Sequence, residues 1–254
     1  MRAAQGRHRR RAHLGRGPLN ALPLSARLAA VAALVPEGRP VADIGTDHGR
    51  LPAWLVASGR VPRAIGIDDK EAPLAGARRM VARFGLDVAL RQARGCAGLA
   101  AGEVATVTVA GMGGASIVDI VAGAPDGVER VVLQPNNGEA AVRAWLGAHG
   151  WAIDAEHAVW DRGRWFAVLR AGRGEGVFHD GADLAYGRVA VHVDRDALRG
   201  RLEADAQRLD ALLAAHTEAA ARAALTEQRA VVTCAMGRLG PGADASRGRT
   251  DPTG

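Results

Sequence analysis

Apolar and polar positions alternate along residues 23–169 with two different periods. Short, nearly continuous apolar runs predict buried parallel strands. These runs are residues 41–44, 64–67, 86–90, 104–109 and 131–133. Between them, apolar residues recur three or four positions apart, which predicts amphipathic helices that each bury one face. The helical segments are residues 24–35, 51–58, 71–84, 116–121 and 139–149.

The pattern changes after residue 150. Residues 151–160 and 164–169 predict a β-hairpin that turns at Asp161-Arg162-Gly163. Five strands that alternate with helices and end in a hairpin predict an α/β fold, a doubly wound, Rossmann-like sheet with an antiparallel edge hairpin. From residue 196 onward, leucines at helical spacing predict a small C-terminal α-helical domain, a helical hairpin resembling a short coiled coil.

These patterns divide the chain into four parts. We expect residues 1–22 to be a disordered basic leader and residues 23–171 to form a ligand-binding α/β domain. We expect residues 172–236 to form a helical arm that packs or dimerises. The tail, residues 237–254, is rich in glycine, serine and proline, a composition typical of disorder.

The predicted topology locates the binding site. In an open parallel sheet, ligands bind at the carboxyl ends of the strands. We therefore expect five segments that follow strands to converge on one cleft. They are residues 45–49, 68–69, 94–96, 111–114 and 134–137.

The turn after the first strand indicates the kind of ligand. Gly45 lets the backbone approach a ligand closely, and the helix that follows presents free N–H groups. Asp68 lies 23 residues beyond Gly45, near the spacing of an acidic residue that binds ribose hydroxyls. A dinucleotide fingerprint requires a second glycine where this chain has Asp47, whose carboxylate would repel a pyrophosphate. The turn therefore favours S-adenosylmethionine, with its amino group and sulfonium cation, over a nicotinamide cofactor.

The charge is unevenly distributed. The net charge is +6, and residues 1–20 contain six arginines and no acidic residue, so the rest of the chain is neutral. A basic leader on a neutral body indicates help in docking a polyanion. A disordered leader or a misassigned start would have the same composition. The leader has neither the apolar segment of a secretory signal nor the serines of a transit peptide.

The cysteine content and the length of the apolar runs also indicate the cellular compartment. The chain contains two cysteines, Cys96 and Cys234, which are too few and too far apart for a disulfide framework or a zinc site. No apolar run approaches the roughly 18 residues of a membrane span. We expect a cytoplasmic protein without a metal, either a monomer or a weak dimer.

Four short motifs resemble those of the bacterial tRNA (adenine-22-N1)-methyltransferase family, class I enzymes that use S-adenosylmethionine. They are LSARL at residues 24–28, DIGTDH at 43–48 with LP at 51–52, AGMGG at 110–114 and LQPN at 133–136. The second and third are the most specific. The resemblance covers residues 24–169 and weakly the C-terminal helices. It implies a methyl-donor domain, an arm that grips tRNA, and methylation of a D-arm adenine at N1.

Candidate roles follow from this chemistry. Methylation at adenine N1 leaves a cationic base, so a nearby carboxylate could stabilise the charge or accept the N6 proton. Asp47 is the first catalytic candidate and His48 the second, although His48 could instead bond to the backbone at the helix start. The cofactor-binding candidates are Arg27, Asp43, Gly45, Thr46, Asp68, Asp69, Arg94, Gly111, Met112 and Gly113. The candidates for binding the base are Gln134, Asn136 and Asn137, which could equally form a turn beside Pro135.

Two assignments leave alternatives open. Arg27 could clamp a ligand carboxylate with its planar fork, or it could be a solvated arginine. Arg94 occupies the position of an aspartate in the family's Gly-Asp-Gly-Leu segment, which reaches the adenine end of the cofactor, so Gln92 or another neighbour would have to compensate.

This substitution keeps two other functions open: a methyltransferase acting on another RNA or a small molecule, and a non-catalytic RNA-binding relative. A nicotinamide oxidoreductase is a weaker alternative because of Asp47.

Overall fold

A computed structural model describes residues 21–178 and 180–240 of the chain. Its centre is a seven-stranded sheet with the strand order β3-β2-β1-β4-β5-β7-β6. The strands are β1 Val41–Ile44, β2 Ala64–Asp68, β3 Val88–Gln92, β4 Thr106–Met112, β5 Arg130–Pro135, β6 Trp151–Asp161 and β7 Arg164–Arg173. The first five run parallel, and β7 pairs antiparallel with both β5 and β6. The predicted doubly wound sheet with an antiparallel edge hairpin is confirmed.

Helices cover both faces of the sheet. They are α1 Ala26–Leu34, α2 Arg50–Ala57, α3 Glu71–Phe84, α4 Gly114–Ala122 and α5 Glu139–Ala148. On one face α1 and α2 bury Val31, Leu51 and Leu55. On the other face α4 and α5 bury Ile117 and Leu146. Ser25 caps α1, because its Oγ accepts a hydrogen bond from the Leu28 amide at 3.3 Å.

Some predicted strand boundaries were wrong. The third strand begins at Val88 rather than at residue 86, because Leu86 still belongs to the end of α3. Gly85 ends that helix with φ +59°, and the Leu86 amide donates to the Val81 carbonyl at 3.1 Å. β4 and β5 continue further than predicted and include Met112 and Pro135, so both carry residues of the predicted site.

The C-terminal part contains three helices, α6 Gly181–Tyr186, α7 Arg195–Ala215 and α8 Ala219–Leu239. The predicted helical hairpin is confirmed by α7 and α8, whereas α6 was not predicted. The helices share an apolar cluster of their own. The tail was predicted to begin at residue 237, but α8 continues to Leu239, which is buried in that cluster, and residues 241–254 lie outside the described residues.

A buried ion pair joins these helices to the sheet. Arg143 of α5 and Glu156 of β6 have exposures of 0% and 1% and a nitrogen–oxygen distance of 2.8 Å. Arg143 also donates to the carbonyls of Leu184 and Ala185 in α6, both at 2.9 Å. The arm is therefore packed against the α/β domain by polar contacts as well as apolar ones. The four-part division of the chain stays a prediction. Residues 1–20 of the predicted leader lie outside the described residues, whereas Leu22 is described and buried.

Within the described residues, no helix combines the length and the apolar character needed to cross a membrane.

Candidate active site

A cavity lies at the carboxyl edge of the parallel strands, the edge at which the sequence predicts a ligand cleft. Its volume is about 770 Å³. Its lining includes Ile44, Gly45, Asp68, Asp69, Lys70, Ala93, Arg94, Met112, Ser116, Asp119 and Ile120. Apolar side chains thus form part of the cavity wall, and the carboxylates of Asp68, Asp69 and Asp119 line the same cavity. Such a cavity fits a nucleoside, which has an apolar base and hydroxyl donors.

The glycine turn gives this cavity its floor. Gly45 has φ +71°, and its amide donates to the Ile67 carbonyl at 2.8 Å, which ties the end of β1 to β2. A Cβ atom at Gly45 would overlap the terminal methyl group of Met112. The positive φ favours glycine here, and a side chain would also displace the end of Met112.

Asp47 occupies an unfavourable backbone conformation in the same turn. Its φ is +52°, in the left-handed region that non-glycine residues seldom adopt. The side chain of Asp47 is 68% exposed, and that of His48 is 61% exposed, with 3.8 Å between the His48 Nε2 and the Asp47 Oδ1. The Asp47 carboxylate is thus a free, solvated group rather than a buried one. The left-handed conformation is less unfavourable for aspartate than for most other residues.

Asp68 organises the opposite wall. Its Oδ2 accepts a hydrogen bond from the Asp47 amide at 2.9 Å, and its Oδ1 accepts from the Lys70 amide at 3.0 Å. Each carboxylate oxygen keeps acceptor capacity for a further donor. The backbone therefore fixes this carboxylate where it can accept the hydroxyls of a ribose.

Asp43 lies beneath the turn and is buried. Its Oδ1 accepts a hydrogen bond from the Thr108 hydroxyl at 2.6 Å. Burial raises the pKa of Asp43 to about 6, and the hydroxyls of Thr108 and Thr46 oppose that rise. Asp43 lines a second pocket rather than the first cavity.

This second pocket, about 330 Å³ in volume, adjoins the first. It is lined by Arg27, Leu28, Asp43, Gly45, Thr46, Asp47, His48, Arg50, Leu51, Ala110, Gly111 and Met112. Gly45 and Met112 belong to both linings. The two chambers therefore meet at Gly45 and Met112, and the catalytic candidates Asp47 and His48 face the second one.

Arg27 stands at the side of the second pocket. It donates to the Oε1 of Gln134, and its Nε lies 4.0 Å from the Oδ2 of Asp161. The guanidinium also lies 5.5 Å from the centre of the Phe166 ring. Partial burial lowers the pKa of Arg27, and Asp161 opposes that shift. The predicted arginine thus lines a pocket but already has partners within the chain.

Gln134, Asn136 and Asn137 hold the turn at residues 111–114 from behind. The buried Gln134 accepts from the Gly111 amide at 3.0 Å, and Asn136 Nδ2 donates to the Gly111 carbonyl at 2.6 Å. Asn137 Oδ1 accepts from the Gly114 amide at 3.3 Å. None of the three lines either pocket. Their polar atoms therefore hold the turn at residues 111–114, a role different from the turn beside Pro135 that the sequence left open.

The remaining predicted residues divide between the chambers. Asp69, Arg94 and Met112 line the first, whereas Thr46 and Gly111 line the second. Gly113 caps the N-terminus of α4 and lines neither. Gln92 does not face the ligand cavity either, since its Nε2 donates to the Asp69 carbonyl at 3.1 Å.

Sequence reasoning missed Asp119. This exposed carboxylate on α4 lines the first cavity together with Arg94. The segment after Arg94 contacts α4, because Cys96 Sγ lies 3.4 Å from the Ile120 carbonyl, and an added Cβ at Gly95 would lie 3.7 Å from Ile120. Asp119 lies within a helix rather than after a strand, so only the folded structure brings it to the site. No group of three or more metal-ligating side chains occurs among residues 21–178 and 180–240.

Comparisons with known proteins agree with this site. A family model described as a methyltransferase domain matches residues 24–169. The tRNA (adenine(22)-N(1))-methyltransferase of Bacillus subtilis is 36% identical over 177 residues, which cover 67% of this chain and 74% of that protein. The crystal structure of Streptococcus pneumoniae Sp1610, a candidate tRNA (m1A22) methyltransferase, aligns with a TM-score of 0.76 and 29% identity over 84% of this chain and 99% of that one. A structure of Sp1610 with S-adenosyl-L-methionine bound aligns with a TM-score of 0.72, with the same identity and coverage.

Proposed function

Because the chain belongs to the methyltransferase-domain family, and within it to the family of the Bacillus subtilis tRNA (adenine(22)-N(1))-methyltransferase, we propose that it methylates N1 of adenine 22 in the D arm of tRNA. The observation that carries this proposal is the pair of adjoining chambers that meet at Gly45 and Met112. One chamber suits the methyl donor and the other suits the target base, so the two reactants would meet at the shared wall.

The residues of the first chamber fit S-adenosylmethionine. Gly45 presents backbone without a side chain at the wall of this chamber, and Asp68 offers acceptors for ribose hydroxyls. Ile44, Ala93 and Ile120 provide apolar surface for the adenine ring, and Asp119 provides an acceptor for its amino group. The cofactor supplies a methyl group on a sulfonium cation, which is so electrophilic that the protein mainly has to align the reactants.

The residues of the second chamber suit the chemistry of the base. Adenine N1 lies on the pairing edge, so the target adenine must be unpaired or flipped out to present its lone pair. The product base is cationic until it loses an N6 proton. Asp47, exposed at the glycine turn, would stabilise that charge or accept the proton, and His48 is close enough to share it. Gln134, Asn136 and Asn137 would act as positioning residues through the turn at residues 111–114.

Arg94 favours a second candidate function. Its guanidinium replaces the aspartate of the related enzymes and lines the donor chamber. A methyltransferase with a different substrate, or a non-catalytic RNA-binding relative, would tolerate this change. We propose that Asp119 compensates for it, so that the cofactor site stays functional.

We also place the protein in the cytoplasm, where its tRNA substrate is found. Its state as monomer or weak dimer stays a prediction.

Nucleoside mass spectrometry tests the proposal directly. Purified protein is incubated with S-adenosylmethionine and an unmodified tRNA transcript that carries adenine at position 22. We expect 1-methyladenosine at that position, and none in a transcript with guanine 22. Methylation of another nucleotide would support the alternative substrate. Cofactor binding without methylation of any tRNA would support the non-catalytic relative.

A further inference from the structure

The tip of the β6–β7 hairpin projects from the same sheet edge as the two chambers. β7 is antiparallel to β5, and Leu169 pairs with Leu133, so the residues that precede Leu169 continue past the carboxyl end of β5. The tip, here defined as residues 160–165, carries two tryptophans and two arginines. It is the part of the hairpin nearest to the proposed chemistry.

Trp160 is unusually exposed for its type. Its relative exposure is 52%, and the other large apolar residues exposed to this degree among the described residues are Val177 and Val193. Indole surface in water is unfavourable, so an exposed tryptophan at the rim of a site is a candidate for contact with a ligand.

The hairpin supports Trp160 from one side. Trp160 pairs across the hairpin with Trp165, and the two rings form an edge contact with centroids 5.4 Å apart and planes at 64°. Trp165 in turn packs against α7, where a Cβ at Gly200 would lie 3.2 Å from its ring. The exposed ring is therefore held in place before any ligand binds, which lowers the entropy lost on binding.

Arg162 adds a second, independent observation. It has φ +50°, and it shares a positive φ with only one other non-glycine residue in the described part of the chain, Asp47. Asparagine, aspartate or glycine would suit this turn position better. Its guanidinium makes no hydrogen bond or ion pair with residues 21–178 and 180–240. An arginine kept in an unfavourable turn, with its charge unused, indicates an external anion.

The surrounding charges favour the same ligand. The charges of Arg162 and Arg164 both act on Arg27 and oppose the effect of Asp161 on it. Asp161 is already engaged, because it lies 4.0 Å from the Arg27 guanidinium and accepts from the Arg27 amide at 3.4 Å. The tip therefore presents net positive charge beside an open aromatic ring, a combination suited to nucleic acid.

We propose that this tip binds an unpaired nucleotide of the tRNA substrate, with its base stacked on Trp160 and its phosphate at Arg162. The inference rests on the proposed function, since it takes tRNA as the partner. Arg27 connects the two places, because it contacts Asp161 of the tip and lines the second pocket. The nucleotide held at the tip would flank the target adenine and help to keep it out of the helix.

Two substitutions of Trp160 test the stacking role. Trp160→Leu keeps apolar bulk without an aromatic face, and Trp160→Phe keeps a smaller aromatic face. We expect Trp160→Leu to raise the Kd for a tRNA transcript by roughly 5- to 100-fold, the usual loss for one stacked base. Trp160→Phe should bind within about threefold of the wild type. Calorimetry with S-adenosylmethionine should give the wild-type affinity for both variants, which shows that the donor chamber is intact.

Arg162→Asn tests the phosphate contact. Asparagine suits the turn, so the midpoint of thermal unfolding should stay the same or rise, while the salt slope of tRNA binding should fall by about one. Wild-type tRNA affinity and salt slope in both Trp160→Leu and Arg162→Asn would overturn this inference and leave the proposed function standing. A wild-type protein that binds no tRNA and methylates none would overturn both.

Discussion

The backbone amide of Asp47 donates a hydrogen bond to the Asp68 carboxylate, with a nitrogen–oxygen distance of 2.9 Å. This contact joins the catalytic candidate after β1 to the ribose-binding candidate after β2. It also holds Asp47 at φ +52°. Because Asp68 uses both carboxylate oxygens for backbone amides, changes at the two residues are coupled.

The first prediction concerns Asp47. Asp47→Asn keeps the shape of the side chain, and asparagine tolerates a positive φ, so the turn should be preserved. The methylation rate of tRNA should fall by roughly 10²–10⁴-fold, the usual range for loss of a general base. The Kd for S-adenosylmethionine should change by less than about threefold. Single-turnover kinetics and calorimetry measure the two quantities separately.

Asp68→Asn is the contrasting variant. An asparagine has one acceptor oxygen where the turn uses two, so this change should weaken cofactor binding and also disturb Asp47. Raising the cofactor concentration to saturation should restore part of the methylation rate that Asp68→Asn loses. If Asp47→Asn methylates at nearly the wild-type rate, the carboxylate has a structural role and the catalytic assignment is wrong.

The second prediction concerns Arg94 and Asp119, which line one cavity. Asp119→Asn should weaken S-adenosylmethionine binding by roughly 3- to 10-fold, about the value of one hydrogen bond. The double variant Arg94→Asp/Asp119→Asn should recover the lost affinity, because the carboxylate is moved across the same cavity. Calorimetry of both variants gives the answer.

Asp87→Asn provides a matched control for that comparison. Asp87 is also exposed, but it precedes β3 and therefore lies at the opposite edge of the sheet. Its substitution removes the same charge and should leave the cofactor affinity unchanged. An Asp119→Asn variant with wild-type affinity would mean that Asp119 does not compensate for Arg94.

Much of the fold could be predicted because each strand is a short apolar run and each helix has one apolar face. The predicted strand boundaries were wrong where an apolar residue closes a helix instead of extending the next strand. Leu86 continues the apolar run of β3, but it completes the end of α3 instead. The short helix α6 was missed because glycines flank it, and its start depends on Asp180, whose carboxylate accepts from the Ala182 and Asp183 amides.

The site was predictable where it follows strand ends and not where it depends on contacts between distant residues. Asp47 stands in the turn after β1 and Asp68 at the end of β2, and the apolar pattern reveals both places. The role of Gln134 depends on Gly111 and on Arg27, which is 107 positions away in the chain. Asp119 has no sequence signal, since an exposed acid on an amphipathic helix is ordinary until the fold brings it beside Arg94.

The third prediction concerns the pH dependence of stability. Burial raises the pKa of Asp43 from 3.8 in its ordinary state to about 6. Between these values the folded protein binds a proton that the unfolded chain has released, so the free energy of unfolding contributed by Asp43 falls as the pH rises. Asp43→Asn removes the ionisation. Its stability should match the wild type near pH 3.5 and exceed it by up to ~3 kcal/mol above pH 6.

Urea unfolding without cofactor at several pH values measures this difference. Thr108→Val is the companion variant, because it removes the hydroxyl that donates to Asp43 at 2.6 Å. It should destabilise the protein more at pH 7, where the carboxylate is charged, than at pH 4. Parallel pH profiles for wild type and Asp43→Asn would show that Asp43 does not titrate in this range.

The fourth prediction concerns the buried pair of Arg143 and Glu156. Glu156→Gln leaves the Arg143 guanidinium charged and fully buried, which should lower the free energy of unfolding by ~3–5 kcal/mol. Glu129→Gln removes the charge of an exposed partner of Arg39, and it should lower the free energy of unfolding far less, because exposed ion pairs contribute little. Because Arg143 also holds the carbonyls of Leu184 and Ala185, Glu156→Gln should speed amide hydrogen exchange in α6 and α7 more than in β1 and β4. Uniform acceleration across the chain would instead mean that the arm and the sheet unfold as one unit, and that this pair does not specifically fasten one to the other.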